Sequence, residues 1–404
     1  MILQITEILL WVLLLAVFYT YLGYGLLVFI LVKLRRLTGR GYPVTFDPAF
    51  LPDVVLMVPA YNERGYVTEK VRNSLALDYP PDKLQLFFVT EGSTDGTTEM
   101  LEELTLSNPR VSVMGGRQRL GKIEAVNRAM RLINEPFVIF TDANTSLNSA
   151  AVRHIIRHFS DSRVGAVAGE KRIQLLTNEG AAGSGEGLYW KYESFLKKLD
   201  TELYSVVGAA GELFAIRTEL YQPVEQDTLL DDFVISLRIA GRGYRVVYEP
   251  AAFALERPSF SVGDEKKRKV RIAAGGFQAI VRLSALLNIA RYGWLSFQYI
   301  SHRVMRWAIA PFCLPLILLL NILLVVLPGT ALFPTALYQW LLAAQVLFYA
   351  SALLGYYLED RHIRIKLLFV PYYFSFMNAC ALLGFLRYRR GNDTGIWEKV
   401  RRAS

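Results

Sequence analysis

The sequence predicts an α/β domain with a mostly parallel sheet, set between membrane-spanning segments. Two observations carry this reading. Residues 54–250 alternate short β-rich runs with helical stretches, and long uncharged apolar stretches lie on either side. Composition agrees, because 53% of the 404 residues are hydrophobic, more than a soluble enzyme of ordinary make-up carries.

Residues 2–32 contain a single charge, Glu7, and exceed the roughly 20 apolar residues that a bilayer core requires. No basic residue precedes the run, and it is longer than the ~15-residue core of a signal peptide, so it reads as a span. Lys33, Arg35, Arg36 and Arg40 follow at once, and the positive-inside bias then places the next block in the cytoplasm. That block reads in order as "VVLMVPA", "EKVRNSLAL", "LQLFFVTEG", "TTEMLEELTL", "VSVMGG", "KIEAVNRAMRLI" and "FVIFTDAN", strand alternating with helix. Beyond it, "FQAIVRLSALLNI" and "RYGWLSFQYISHRVMRW" mix basic, aromatic and apolar residues as interfacial helices do.

Residues 308–327, 331–358 and 367–386 are three further uncharged stretches of near-spanning length. Three crossings would leave Arg387, Arg389, Arg390, Lys399, Arg401 and Arg402 on the outer face, against the same bias. The last stretch contains Pro371 and Asn378, which makes it the candidate for a re-entrant or interfacial path. The expected organisation is therefore an amino-terminal span (1–35), a cytoplasmic α/β domain (50–260), interfacial helices (261–303), a membrane region (304–388) and a basic tail (389–404).

The net charge of +9 does not point to nucleic acid, because the basic residues gather beside membrane segments, where anionic lipid headgroups attract them. Cys313 and Cys380 both sit in apolar stretches, so neither a disulfide framework nor a thiolate metal site is expected.

In open α/β sheets ligands bind beyond the carboxyl ends of the strands, so the polar residues there carry the chemistry. Here they are "PAYNE", "TEGSTDGT", "GGRQRLGK" and "TDAN". The run "GRQRLGK" has the spacing of a phosphate-binding loop, but Ile123 stands where Ser or Thr must hold magnesium, so an ATPase is set aside. No G-x-G-x-x-G follows any predicted strand, which also sets aside a dinucleotide-dependent dehydrogenase. A non-catalytic membrane scaffold leaves Glu63, Glu91, Asp95, Asp142, Asp231 and Asp232 unexplained, since packing gives no reason for carboxylates in connections. His154 and His158 have i, i+4 spacing, but no glutamate follows His154 as in a zincin helix, so both are expected at the surface.

In order, "VPAYNE", "TEGSTDGT", "GKIEAVN", "TDAN", "GAAGELFAIR" and "LLDDFVISLRIAGRGYRVVYEP" resemble the motifs of the family 2 membrane glycosyltransferases. That family includes the cellulose, hyaluronan, chitin and poly-N-acetylglucosamine synthases. The resemblance implies a GT-A fold and an inverting hexosyl transfer from a nucleotide sugar, UDP-linked, to a growing polysaccharide. Its alternatives are single transfer to a polyprenyl-linked acceptor and an inactive scaffold. It places the enzyme in the inner cell membrane as a multi-pass protein.

The resemblance also implies roles. Asp142 matches the first acid of the family's D-x-D metal motif and is expected to bind Mg²⁺ or Mn²⁺, hard cations that prefer oxygen ligands; a helix cap is its plainer reading. Asn144 replaces the second acid, which leaves an amide oxygen for cation or ribose and a weaker hold on metal. Pro59, Ala60, Tyr61 and Glu63 match the nucleotide loop, and Glu91 stands where an Asp usually contacts uracil or ribose. Lys122 matches a lysine near the donor phosphates. "DDFVISLR" aligns with E-D-x-x-L-x-x-R, making Asp232 the base and Asp231 its acidic companion, with Asp227 a near competitor. Gly208 to Gly211 with Glu212 and Arg217 match the acceptor-side loop. "RKVRI" occupies the place of Q-x-x-R-W, with Arg268 for Gln and Ile272 for Trp, so only Arg271 is retained, as a clamp for the diphosphate.

Overall fold

The computed structural model describes residues 2–39, 46–116, 118–173, 183–257, 262–327, 332–360 and 365–391. Arg40, Lys399, Arg401 and Arg402 lie outside the described residues.

The first apolar run forms one long helix, α1 (Ile2–Leu37). Four strands follow, β1 (Val54–Ala60), β2 (Leu84–Glu91), β3 (Val111–Gly116) and β4 (Phe137–Thr141). They alternate with α2 (Arg64–Leu75), α3 (Thr97–Ser107) and α4 (Lys122–Met130), as the sequence pattern predicts. β1 is buried at nearly every position because a central parallel strand is covered on both faces.

The domain continues through β5 (Thr145–Leu147), α5 (Ala151–Ile156), β6 (Val164–Ile173), α6 (Gly183–Leu203), β7 (Leu213–Arg217), α7 (Asp231–Gly241) and β8 (Arg245–Glu256). The sheet has eight strands in the order β3-β2-β1-β4-β7-β6-β8-β5. β1 to β4 run parallel, whereas β7 is antiparallel to both β4 and β6, and β5 is antiparallel to β8. The chain therefore winds outward from β1 through β2 to β3, then returns to β4 on the other side of β1. Such a reversal opens a crevice at the carboxyl ends of the two strands. Pro59, Ala60 and Tyr61 leave β1 there, and Asp142 leaves β4.

Two apolar layers cover the faces of the sheet. Ala279, Leu283 and Leu286 join one of them, as do Leu295 and Tyr299, so the two amphipathic stretches turn apolar faces to the α/β core. The first of these stretches begins in α8 (Val262–Arg282), and the second runs into α9 (Trp294–Val326), one of the helices long enough to cross a membrane.

Two apolar helices complete the chain, α10 (Thr335–Asp360) and α11 (Lys366–Arg390). With α1 and α9 they make four candidate spans, which marks the chain as a membrane protein. Glu7, the one charge in the first run, is buried and accepts the backbone N–H groups of Leu332 at 2.6 Å and Phe333 at 2.9 Å. This acid is thus satisfied by the residues that lead into α10 and by the Tyr338 hydroxyl on α10 itself.

α11 continues unbroken through Pro371. Its amino half packs on α10, where Gly355 meets Leu368 and Tyr372. Its carboxyl half lies on α8, where Gly384 meets Ala273 and the Phe385 and Tyr388 rings meet Phe277. The basic end of α11 consequently sits beside the helix that leaves the α/β domain.

Candidate active site

One cavity of about 440 Å³ opens at the reversal between β1 and β4. Pro59, Ala60, Tyr61 and Glu63 line one end. Glu91, Lys122, Asp142, Asn144, Asp231, Asp232 and Arg271 also line it, so these candidates share one space, while Asp95, Arg217 and Asp227 lie outside its lining.

Its centre is a cluster of carboxylates around one ammonium. Lys122, first residue of α4, places Nζ 3.3 Å from Asp142 Oδ1 and 3.6 Å from Asp231 Oδ2. Burial alone would lower the Lys122 pKa, but Asp142, Asp231 and Asp232 outweigh it and raise it. Burial pushes the Asp142 carboxyl above its ordinary range, with Lys122 opposing. Asp232 rises to about 7, through burial first and the adjacent Asp231 second, again with Lys122 opposing.

Asp231 and Asp232 open α7, where the positive end of the helix dipole favours acids. Ser236, one turn on, donates to the Asp232 carbonyl at 2.7 Å and accepts the Ala209 N–H at 3.0 Å. The small-residue loop is thereby fastened to the acidic helix. Gly208 has φ +86, and a Cβ there would lie 2.1 Å from the Phe233 ring, so only glycine lets this loop approach α7.

At the Tyr61 end, the Arg119 guanidinium lies 4.2 Å from the Tyr61 ring centroid, so that ring is already stacked by a cation on one face. Glu91 is buried and pairs with Arg128 at 3.0 Å. Its pKa is raised by burial, with Arg128 opposing. That ion pair, which holds Glu91 from the side, was not legible in the sequence.

Several expectations are corrected. Arg217 does not belong to the acceptor loop: its guanidinium bonds the carbonyls of Val164 and Phe159, each at 2.8 Å, and fastens the far end of β7. His158 is not a surface residue. It is buried and bonds Glu249 at 2.8 Å, a carboxylate also held by Arg157 and by the Ala251 N–H. Asp95 accepts the Thr97 N–H at 3.1 Å as a turn residue and lies outside the cavity lining. Asp227 is exposed and paired to Arg282 at 2.6 Å, which removes it as a rival to Asp232.

The opposite end of the cavity was not legible in the sequence. It is lined by Trp190, Trp307, Arg303 and Arg306, and by Tyr21 of α1 and Asn378 of α11. Glu193 gathers Arg303 at 2.9 Å and Arg306 at 2.7 Å. Tyr21 donates to Asn378 at 2.7 Å. Polar side chains inside apolar helices were the available signal, and these two meet where the cavity enters the membrane helices.

Asp142 and Asn144 both line the cavity and offer hard oxygens, a chemistry that suits Mg²⁺ or Mn²⁺, although the group against Asp142 in this structure is the Lys122 ammonium. Among the described residues no three His, Cys, Asp or Glu side chains converge in metal-holding geometry. A divalent ion here would take its remaining ligands from a substrate phosphate or water.

The family model described as Glycosyltransferase like family 2 matches residues 52–281, over half of the chain. The chain belongs to this family. Among curated family 2 relatives, the poly-beta-1,6-N-acetyl-D-glucosamine synthase of Staphylococcus aureus strain MSSA476 is 26% identical over 237 residues, 57% of this chain and 56% of the relative. The synthase of Staphylococcus epidermidis is 23% identical over the same length and shares. The chain thus matches about half the length of these relatives. A mannosyltransferase from Pyrobaculum calidifontis, PcManGT, solved in complex with GDP-Man and Mn2+, is 22% identical with a TM-score of 0.72. That alignment covers 96% of this chain and 99% of the other, so the fold is shared over most of the chain and not by the α/β domain alone. The domain is a GT-A fold, as the motif resemblance implies.

Proposed function

We propose that this family 2 chain is an inverting, divalent-metal-dependent glycosyltransferase that moves a sugar from a UDP-linked donor to a growing polysaccharide at the cytoplasmic face of the inner membrane. The observation that carries this reading is the single cavity. It joins the loop at residues 59–63, an acidic centre around Lys122, and a far side that reaches the apolar helices.

In this reading Tyr61 and its neighbours hold the base, and Lys122 and Arg271 face the diphosphate. Asp232 takes the acceptor hydroxyl proton as that oxygen bonds to the anomeric carbon, while the bond to the diphosphate breaks on the opposite side. Asp142, with the Asn144 amide beside it, would hold Mg²⁺ or Mn²⁺, which supplies charge to the departing diphosphate. Lys33, Arg35 and Arg36 after the first span support a cytoplasmic domain.

One observation favours a second reading, single transfer to a polyprenyl-linked acceptor. Ile272 lines the cavity where processive synthases carry Trp, so that stacking platform for a growing chain is missing. The deciding experiment presents the purified protein, in lipid nanodiscs with Mn²⁺, with a panel of UDP- and GDP-linked sugars and sizes the product. A ladder supports polymerisation, one added sugar supports single transfer, and no metal-dependent release of nucleoside diphosphate with any donor leaves only an inactive scaffold.

A further inference from the structure

Lys70, on α2, is 2% exposed, and among the described residues it forms no ion pair with a carboxylate. Its ammonium donates to Thr141 Oγ1 at 2.9 Å, to the Thr145 carbonyl at 2.9 Å and to Thr145 Oγ1 at 3.1 Å. Its three donors are thereby spent on the two residues that bracket the Asp142-Ala143-Asn144 turn.

A buried ammonium is expensive, and a methionine would fill the same volume at no electrostatic cost. What the ammonium adds is direction. A hydroxyl that accepts from a lysine has its own proton free to point onward. Thr141 donates to the Glu212 carbonyl at 3.0 Å, and Thr145 donates to the Asp142 carbonyl at 2.8 Å. One bond ties the turn to the acceptor-side loop, and the other closes the turn on itself. Burial pushes the Lys70 ammonium down to about 7, with Asp142 opposing.

We propose that Lys70 is a positioning residue for the metal turn, which orients Thr141 and Thr145 so that Asp142 and Asn144 meet the cation in register with the acceptor loop. This rests on the proposed function, because it takes Asp142 as the metal ligand. Groups behind a ligand that fix its orientation typically control metal affinity about 10- to 100-fold.

The test is Mn²⁺ binding by electron paramagnetic resonance with UDP present, on the full chain in nanodiscs. Lys70→Met is expected to weaken Mn²⁺ binding about tenfold or more, in line with that range. Lys70→Arg is expected not to restore it, because the planar fork does not reproduce three converging donors. Thr145→Val should weaken binding in the same direction and Thr145→Ser should retain it, which separates hydroxyl orientation from folding. Circular dichroism melts confirm that each variant is folded. Wild-type affinity in Lys70→Met or in Thr145→Val overturns the proposal. Failure of the wild-type protein to bind Mn²⁺ with UDP overturns the functional reading beneath it, a distinguishable result.

Discussion

The two ends of the cavity are built by opposite means. At the proposed donor end, three side chains emerge from a parallel strand or the turn after it, Tyr61 after β1, Glu91 at the end of β2 and Asp142 after β4, while Lys122 opens α4 and Arg271 comes from α8. At the proposed acceptor end the lining comes from α1, α6, α8, α9 and α11, a set in which Tyr21 and Asn378 meet across 357 positions of sequence. A strand end is a marked position, because an apolar run stops and one polar residue follows. A helix face offers no such mark, since a tryptophan turned toward a substrate reads like one turned toward lipid. A short-range code thus writes most of the proposed donor end, and long-range packing writes the proposed acceptor end.

The sharpest way to break this picture is at the junction of the two ends. Asp232→Asn keeps the size of the side chain and removes its basicity. Loss of a general base typically costs 10²- to 10⁴-fold in rate. Transfer by the purified protein is expected to fall by about 10³-fold on that scale, with donor KM little changed. A loss under tenfold would move the base elsewhere and dissolve the junction.

That junction also shows how far the sequence could be read. The element order from β1 to β4 was legible because apolar period and turn residues alternate cleanly through "VVLMVPA" to "FVIFTDAN". Asp142, Lys122 and Asp232 were legible as a resemblance, and their convergence required the sheet reversal that brings β1 beside β4. Arg217 was misread because it ends a strand whose antiparallel direction sends it away from the cavity. His158 was misread because its partner, Glu249, lies in β8, ninety-one residues away. The path of α11 was only half legible: Pro371 hinted at a break that does not occur, while the ring contacts on Phe277 hold its basic end near the α/β domain.

Gly208 tests whether the acceptor loop depends on close packing. Gly208→Ala adds a methyl where φ is +86 and Phe233 already fills the space. Strain and overpacking of this kind cost about 1–3 kcal/mol each. A lower melting temperature and reduced transfer are expected, and an unchanged melt would show that the loop has room.

A subtler effect is the pH dependence of kcat/KM. The Asp232 carboxyl rises to about 7, and as the proposed base it would act only when ionised, so the rate should climb through pH 7 and level off above it. Asp231 is among the causes that raise it, so Asp231→Asn should lower the Asp232 pKa and shift the acidic limb to lower pH. A limb that stays in place, or moves upward, would mean that another group controls the rate.

The smallest effect is expected at Asn144, which distinguishes this donor end from one carrying a second acid. It lines the same cavity as Asp142 and offers an oxygen without charge, in a centre where the Lys122 ammonium lies 3.3 Å from Asp142. A single carboxylate with a competing lysine favours a metal that arrives with donor phosphate over one held by protein alone. Asn144→Asp adds one charge and should tighten Mn²⁺ binding several-fold without nucleotide, while changing binding much less when UDP is present. Calorimetric titration with and without UDP measures both. Equal tightening in the two conditions would show that metal affinity is set by protein charge alone, and that the amide does not make the site depend on its donor.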